Sequence, residues 1–252
     1  MSRTNPSKSQ RNEAARAKAE QMRREAEARN RRNRNIIIGV TLVVVVGLFA
    51  AIFWAGFSAW KGSQANADGP GGLSGRGGVV VGQDDAKVTV TVISDFMCPA
   101  CAQFEAANKD QLEAMTKDGT IKMEYVPVSI LDRFSQGTRF STRSASAAFC
   151  VAGSDKDKFV GFHDLMYANQ PSEGSNGMTS EQIAGFAAQA GVSQAGQDCI
   201  TEDRYTGYAT KVTEDASKAG MRGTPTVYVN DVEVQDRSPE AMKAAIENAA
   251  KS

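Results

Sequence analysis

The sequence predicts an α/β domain with a helical insertion, preceded by one transmembrane helix. Three observations carry this prediction: an uncharged apolar run over residues 36–60, a strand–helix–strand pattern between residues 87 and 130, and a return to strand patterns after a long helical stretch. Alternating apolar residues indicate strands and a period of about 3.6 residues indicates helices, so the order of these periods gives the fold class.

Residues 36–60 are predicted to span a membrane. They carry no charge over 25 positions, which is enough to cross a hydrocarbon layer of roughly 30 Å at about 1.5 Å per residue. Trp54 and Trp60 lie toward the end of this run, where aromatic rings suit the membrane interface. The alternative is a signal peptide cleaved near Ala65–Ala67, but the run exceeds the roughly 7 to 15 apolar residues of such a peptide.

Charge is distributed unevenly about this span. The residues before it contain 11 Lys or Arg and 4 Asp or Glu, whereas the residues after it contain 18 and 25. Because Lys and Arg favour the cytoplasmic side, residues 1–35 are predicted to be a basic cytoplasmic tail, and everything after Lys61 is predicted to lie outside the cell membrane. The tail has no apolar face, so we interpret it as a solvated segment near anionic lipid and expect no nucleic-acid binding.

The extracytoplasmic part is predicted to consist of a linker and one domain. Residues 61–78 are rich in glycine and are predicted to be a flexible linker. Residues 79–252 are long enough for a single domain with a sizeable core. The chain has four cysteines, and in an exported domain these favour disulfides.

The first half of the domain is predicted to be a βαβ unit. Valines alternate with threonines in a strand over residues 87–94, a helix follows from Cys98 to a stop at Asp118-Gly119, and a second strand covers residues 121–130. Two strands joined through a helix are most simply parallel, with a right-handed connection.

Residues 135–220 are predicted to be the helical insertion. Thr179 and Gln182 form a capping box at the start of one of its helices. Turn and capping signals then indicate the last elements, which are strands at 226–230 and 232–234 and a final helix with Ser238 as N-cap and Pro239 as its first residue.

Cys98 and Cys101 are the candidate functional residues. Two thiols three residues apart can exchange between a dithiol and a disulfide, and their position after a strand places the first sulfur at a helix N-terminus. Unpaired N–H groups and the helix dipole there favour the thiolate, which is the attacking species. The same spacing occurs in zinc sites and structural loops, so the motif alone leaves those alternatives open.

Three segments resemble the DsbA-like thiol oxidoreductases of the thioredoxin superfamily. The family's active-site segment, a stretch of its helical insertion and its cis-proline loop are matched by Ser94–Cys101 (SDFMCPAC), Phe162–Leu165 (FHDL) and Gly223–Thr226 (GTPT). The resemblance covers roughly residues 79–250, and the anchor with a glycine-rich linker is similar to actinobacterial members. It implies a thioredoxin fold with a helical insertion.

The resemblance assigns roles to the active-site residues. Cys98 would be the nucleophile that forms mixed disulfides, and Cys101 would resolve them. Pro99, at the second helical position, and Ala100 form the dipeptide that tunes the thiolate. Family members with histidine at the position of Ala100 have an additional donor or charge there, which puts the strongest oxidising character of this chain in doubt.

The resemblance also covers the remaining loop and cysteines. Pro225 is expected to be cis and to turn the Thr224 backbone toward the sulfurs, so that an unfolded substrate pairs with it as an added strand; the alternative is an ordinary turn. With Cys98 and Cys101 as the redox pair, Cys150 and Cys199 are expected to form a structural disulfide. The alternative is that they act as a second redox relay.

Other ionisable residues are assigned lesser roles. Many thioredoxin-fold enzymes bury an acid six residues before the first cysteine, where this chain has Val92. Asp95 and Glu124 are the available substitutes, but each is expected to be a surface or loop carboxylate. His163, the only histidine of the chain, is expected to pack at a domain face, and we reject a Cys98–His163 pair of a cysteine hydrolase.

The predicted function is an extracytoplasmic thiol-disulfide oxidoreductase that introduces disulfides into reduced or unfolded exported proteins. The resemblance implies a DsbB- or VKOR-like membrane partner that restores the Cys98–Cys101 disulfide. We expect no cofactor, no metal and a monomer. The alternatives are a reductase or isomerase of the same fold, which a reduction potential distinguishes, and a copper or zinc chaperone, for which one histidine and no methionine cluster supply few ligands.

Overall fold

A computed structural model describes Gly47 and residues 68–251 of the chain. The predicted cytoplasmic tail, and the predicted membrane span apart from Gly47, lie outside the described residues. Among the residues that are described, no helix is both long enough and apolar enough to cross a membrane. The fold is therefore described for the domain alone.

Five strands form one mixed sheet. Their order across the sheet is β1-β3-β2-β4-β5, and β2 and β3 are parallel, as predicted. The other three pairings, β1 with β3, β2 with β4 and β4 with β5, are antiparallel. The strands are β1 (Val79–Gly82), β2 (Val88–Ser94), β3 (Ile121–Pro127), β4 (Thr226–Val229) and β5 (Val232–Glu233).

Helix α1 (Pro99–Lys117) connects the two parallel strands. Its start is fixed by Cys98, an extended N-cap, and by Pro99, whose missing N–H costs no hydrogen bond there. Pro99 is the first helical residue rather than the predicted second, because Cys98 is the cap and not part of the helix. The helix ends where Gly119 adopts a φ of 81°, which favours glycine. The prediction of this βαβ unit is confirmed, although β3 ends at Pro127 rather than at residue 130.

The predicted helical insertion is confirmed. Thr179 accepts a hydrogen bond from the backbone of Gln182, whose side chain bonds back to the Thr179 N–H, which forms the expected capping box. The helices of the insertion are α2 (Phe140–Ser154), α3 (Phe159–Ala168), α4 (Ser180–Gln189), α5 (Gln194–Thr201) and α6 (Thr206–Lys218). A disulfide between Cys150 and Cys199 joins α2 to α5, with a Cα–Cα distance of 5.7 Å.

The chain returns to the sheet through β4 and β5 and ends in helix α7 (Pro239–Ala249). Asn230 and Asp231 form the turn between the strands with φ values of 45° and 66°, the left-handed conformation that such hairpins require. Ser238 caps α7 by accepting a hydrogen bond from the Ala241 N–H. Met242 and Ile246 on this helix are completely buried.

Residues 68–78, which we call the N-terminal strap, lie against the domain. The approach is close at Gly69, where a Cβ atom would come within 2.4 Å of the Tyr208 ring. The Arg76 guanidinium lies 2.7 Å from the Asp231 carboxylate and 3.6 Å from that of Glu124. This part of the predicted flexible linker is thus packed on the domain, and it leads directly into β1, a strand that the sequence analysis did not predict.

Both faces of the sheet are covered by apolar residues. Val88, Val90 and Val92 of β2 belong to a large cluster that includes α1, α7 and much of the insertion. Ile93 belongs to a second cluster with residues of α2 and α6. The C-terminal end of β2 therefore lies between two packed layers, and the active-site loop emerges there.

Candidate active site

Cys98 and Cys101 lie where β2 passes into α1. The backbone N–H of Cys98 donates to the Asp95 carbonyl at 2.9 Å, which closes a tight turn before the helix. The Cys98 carbonyl accepts the N–H groups of Cys101 and Ala102 at 3.0 and 3.2 Å. Both cysteines are free thiols and both are buried, but Cys98 retains 7% exposure whereas Cys101 has none. Of the two residues, Cys98 is the nearer to the surface.

The environment of Cys98 favours its thiolate. A hydrogen bond from the Cys101 thiol lowers the pKa of Cys98 to about 5, against the opposing effect of burial. An interaction with Thr224 and the backbone N–H groups of Cys101 and Ala100 lower this pKa further. The part that comes from the backbone N–H groups is the stabilisation that a helix N-terminus gives to a negative charge.

Cys101 has the opposite character. Burial strongly raises the pKa of the Cys101 thiol, and the neighbouring Cys98 raises it further. Cys101 thus remains a thiol while Cys98 is a thiolate. The two sulfurs are suited to different steps, with Cys98 as the attacking and leaving sulfur and Cys101 as the buried resolving one.

The Thr224-Pro225 loop faces Cys98, as the site prediction requires. The Thr224-Pro225 peptide bond is cis, and the Cys98 Sγ lies 3.3 Å from the Thr224 carbonyl oxygen. The Arg237 guanidinium donates a hydrogen bond to the Pro225 carbonyl and so helps to hold the Thr224-Pro225 loop in place. A cavity of about 300 Å³ beside the loop is lined by Ala100, Gln103, Phe104, Ala107, Thr224, Pro225 and Arg237.

Asp95 is a loop carboxylate, as one of the two expectations for it held, but it is completely buried rather than exposed. Its carboxylate accepts the backbone N–H groups of Met97 at 2.9 Å and Leu131 at 3.0 Å. Burial nevertheless raises the pKa of Asp95 to about 6, and the nearby Cys98 contributes to this rise. Asp95 is an ionisable group at the active-site loop that titrates near neutral pH.

Glu124 is also buried, contrary to expectation, with 4% exposure. It accepts a hydrogen bond from the Thr91 hydroxyl at 2.6 Å and lies 3.6 Å from the Arg76 guanidinium. Glu124 thus ties the sheet to the N-terminal strap. Its contacts give it a structural role.

His163 lies on α3 and is 3% exposed. Its ring packs against the rings of Phe96, Tyr125, Phe159 and Tyr167 with centroid distances of 4.7 to 5.9 Å. The prediction that His163 packs in a helix is confirmed, but the ring is enclosed by aromatic side chains. Within the described part of the chain, no group of three or more His, Cys, Asp or Glu side chains is arranged to hold a metal ion.

Gln170 is a contact of the site that sequence reasoning missed. Its side-chain amide donates to the carbonyls of Phe96 at 3.0 Å and Cys98 at 2.9 Å. Gln170 is separated from Cys98 by 72 positions in the chain. Gln170 reaches the active-site loop only because the insertion folds back onto it. No local sequence pattern distinguishes this glutamine, so the contact could not be predicted.

A Cys-x-x-Cys at the start of a helix, whose first sulfur has a low pKa and faces a cis-proline loop, defines a thioredoxin-fold thiol-disulfide oxidoreductase. The thioredoxin family model matches residues 74–248. The chain belongs to this family. The match includes the cysteines, the helical insertion and the loop at Pro225.

Curated relatives agree with this membership. The chain is 31% identical over 180 residues to disulfide bond formation protein D of Bacillus subtilis, covering 68% of this chain and 76% of the relative. It is 27% identical over 170 residues to the serine/threonine-protein kinase PknE of Mycobacterium tuberculosis. That match covers 64% of this chain but only 30% of the kinase.

A solved structure shares the architecture. Oxidised DsbA of Mycobacterium tuberculosis superimposes with a TM-score of 0.62 at 29% identity, covering 69% of this chain and 93% of that one. The similarity to DsbA-like proteins, including an actinobacterial one, confirms the resemblance found in the sequence.

Proposed function

We propose that this protein is a DsbA-like oxidase that introduces disulfides into exported proteins. The observation that carries the proposal is the difference between the two sulfurs: Cys98 retains 7% exposure and has a pKa lowered to about 5, whereas Cys101 is completely buried and has a raised pKa. The Thr224-Pro225 loop beside Cys98 offers backbone with which an extended substrate can pair.

Oxidation proceeds in two exchanges. A substrate thiolate attacks the Cys98 Sγ, the Cys98–Cys101 bond breaks, and Cys101 leaves with the electron pair and takes up a proton because its pKa is high. A second substrate thiolate then attacks the substrate sulfur of the mixed disulfide. The substrate disulfide forms, and Cys98 leaves as a stable thiolate. The substrate loses two electrons, and the enzyme gains them.

The low pKa of Cys98 favours oxidation over the reductase or isomerase alternative. A stabilised thiolate stabilises the reduced enzyme, which makes its disulfide a stronger oxidant. It also makes Cys98 the better leaving group in the second exchange. The Cys101 thiol and, to a smaller extent, the backbone N–H groups at the start of α1 supply this stabilisation without a histidine at position 100.

We further propose that residues 36–60 anchor the protein in the cell membrane with the catalytic domain outside. The uncharged run and the excess of Lys and Arg before it support this orientation. The proposed substrates are reduced exported proteins, and a DsbB- or VKOR-like membrane protein would re-oxidise the enzyme. A monomer accounts for the proposed chemistry, because both sulfurs and the cis-proline loop come from one chain.

Substitution of the two cysteines tests the function. Cys98→Ser should abolish oxidation of a reduced model protein. In Cys101→Ser, Cys98 cannot form the internal disulfide, but its thiolate should attack a disulfide of an oxidised model protein, release one substrate thiolate and leave a mixed disulfide that no Cys101 thiol can resolve. Non-reducing gels and mass spectrometry follow both species. Full oxidase activity in the Cys98→Ser variant would refute the proposal.

A further inference from the structure

The end of helix α3 contacts the active-site loop, which we define as residues 95–98. Gln170 follows this helix, and its side-chain nitrogen donates to the carbonyls of Phe96 and Cys98 at 3.0 and 2.9 Å. The Tyr167 hydroxyl lies 3.4 Å from the Asp95 carbonyl. The helical insertion therefore binds three of the four carbonyl groups of this loop.

The Cys98 carbonyl receives three donors. The N–H groups of Cys101 and Ala102 reach it from the first turn of α1, and Gln170 adds a third donor from outside the helix. A carbonyl oxygen carries partial negative charge, and this one belongs to the residue whose sulfur becomes the thiolate. Donors that bind the oxygen reduce its repulsion of a nearby negative charge.

We propose that Gln170 is a positioning residue for thiol-disulfide exchange: it holds the active-site loop and satisfies the carbonyls of Phe96 and Cys98, so that these oxygens do not oppose the Cys98 thiolate. The inference deepens the proposed function, since it rests on Cys98 and Cys101 being the redox pair. Gln170 acts through the loop and does not itself touch the reacting sulfurs.

The chemistry of an amide suits this role. One amide nitrogen carries two N–H groups, and Gln170 uses that nitrogen for both carbonyls. A methionine has a similar length but no N–H, and an alanine has neither the length nor a donor. Either replacement removes the donors and leaves two loop carbonyls to be satisfied otherwise.

The test compares Gln170→Met with wild type in the full-length protein in detergent. The ultraviolet absorbance of the thiolate, followed against pH, gives the pKa of Cys98, and equilibration with glutathione gives the ratio of dithiol to disulfide. Loss of hydrogen bonds of this kind should raise the pKa of Cys98 by about half a unit to one unit, because a tenfold change in the ionisation constant is one pKa unit. We expect such a rise and a shift of roughly threefold to tenfold in the glutathione equilibrium toward the disulfide form.

Gln111→Met is the matched control. Gln111 lies on α1, and its amide also donates to a backbone carbonyl of another element, that of Pro239 at 3.1 Å. This variant should lower the melting temperature to a similar extent but leave the pKa of Cys98 and the glutathione equilibrium unchanged. If Gln170→Met gives the same two values as Gln111→Met, whatever its melting temperature, the proposal is overturned.

A second variant covers the case in which Gln170→Met fails to fold. Gln170→Ala removes the amide without adding bulk or charge, and it should raise the pKa of Cys98 to a similar extent as methionine does because both lack the two N–H donors. An unchanged or lower pKa in this variant would contradict the inference. Failure of the proposed function is separate, because a wild-type enzyme that does not oxidise proteins would leave these titrations interpretable.

Discussion

Asp95 and Cys98 are two groups on one short loop whose negative charges disfavour each other. Burial is the main reason that the pKa of Asp95 rises to about 6, and Cys98 adds to that rise. By reciprocity, an ionised Asp95 opposes formation of the Cys98 thiolate. The hydrogen bonds and N–H groups around Cys98 outweigh this effect, since its pKa remains near 5.

Cys98→Ala should therefore lower the pKa of Asp95. Cys98 ionises first, near pH 5, so its thiolate is present while Asp95 titrates near pH 6, and the substitution removes this like charge. We expect a decrease on the order of half a unit in the reduced protein, followed by the NMR shift of the carboxyl carbon against pH. The oxidised wild-type protein is the control, because its Cys98 cannot ionise and Asp95 should show a similar decrease. An unchanged or higher Asp95 pKa in Cys98→Ala would refute the coupling.

At the scale of single residues, the sequence predicts groups that belong to a short motif. Cys98, Cys101 and Pro225 were identifiable because a few adjacent residues carry the signal. The burial of Asp95 was not, because it depends on the N–H of Leu131 in a later loop. Gln170 was missed for the same reason, since its partners lie more than seventy positions away.

At the scale of elements, the Cys150–Cys199 disulfide is the covalent link within the insertion. It connects α2 to α5 across 49 positions, and both cysteines are buried. Helix α2 also packs against the sheet through Phe149, and α3 carries Tyr167 and leads to Gln170. Stability of the insertion is thus connected to the geometry of the active-site loop.

Replacing Cys150 and Cys199 with alanine should destabilise the protein but leave the oxidation of substrate thiols by Cys98 and Cys101 intact. In the chain-entropy model a loop of this length contributes on the order of 4 kcal/mol to the free energy of unfolding, which denaturant titration measures. The oxidised variant should still oxidise one equivalent of a reduced model protein through its Cys98–Cys101 disulfide. Loss of that oxidation with an unchanged stability would instead support the redox-relay alternative, and free thiols at both positions in the wild-type protein would exclude the structural role.

Elements with strong local signals were predictable and short ones were not. The parallel strands β2 and β3, the helix between them and the capping box at Thr179 follow from period and capping residues. Strand β1 has four residues after a glycine-rich stretch, so it shows no period of its own. It becomes a strand because β3 offers an unpaired edge, which is a tertiary effect.

At the scale of the whole molecule, the two redox forms should differ in how their stability depends on pH. Between about pH 5 and pH 9 the native reduced protein holds Cys98 as a thiolate, while the unfolded chain holds a thiol. The unfolded state then binds more protons, so the stability of the reduced form rises with pH. The contribution is complete above about pH 9 and is lost as the pH falls through about 5.

Asp95 contributes with the opposite sign. Its pKa is raised from 3.8 to about 6, so its contribution is present below about pH 4 and is lost as the pH rises through about 6. Burial, the main cause, is common to both redox forms and largely cancels between them. Denaturant unfolding of the reduced and oxidised proteins, followed by circular dichroism, should give a reduced-minus-oxidised difference that increases from pH 5 to pH 9. A flat or decreasing difference would contradict the assignment of Cys98.

Some features of the whole domain could not be predicted from the sequence. Composition and spacing predicted one α/β domain, but the sheet order depends on which strands pair across long stretches of chain. The packing of the N-terminal strap depends on Arg76 meeting Asp231 at the far turn. Neither the strand pairing nor the Arg76–Asp231 ion pair can be recognised from neighbouring residues in the sequence.

The reduction potential of the Cys98–Cys101 pair tests the account most directly. Equilibration of the wild-type protein with glutathione redox buffers, with the two forms separated after thiol trapping, gives this potential. The stabilised Cys98 thiolate predicts an oxidising value, well above about −270 mV and toward about −120 mV. A value near about −270 mV would show that the pair is a reductant and would contradict the proposed oxidase function.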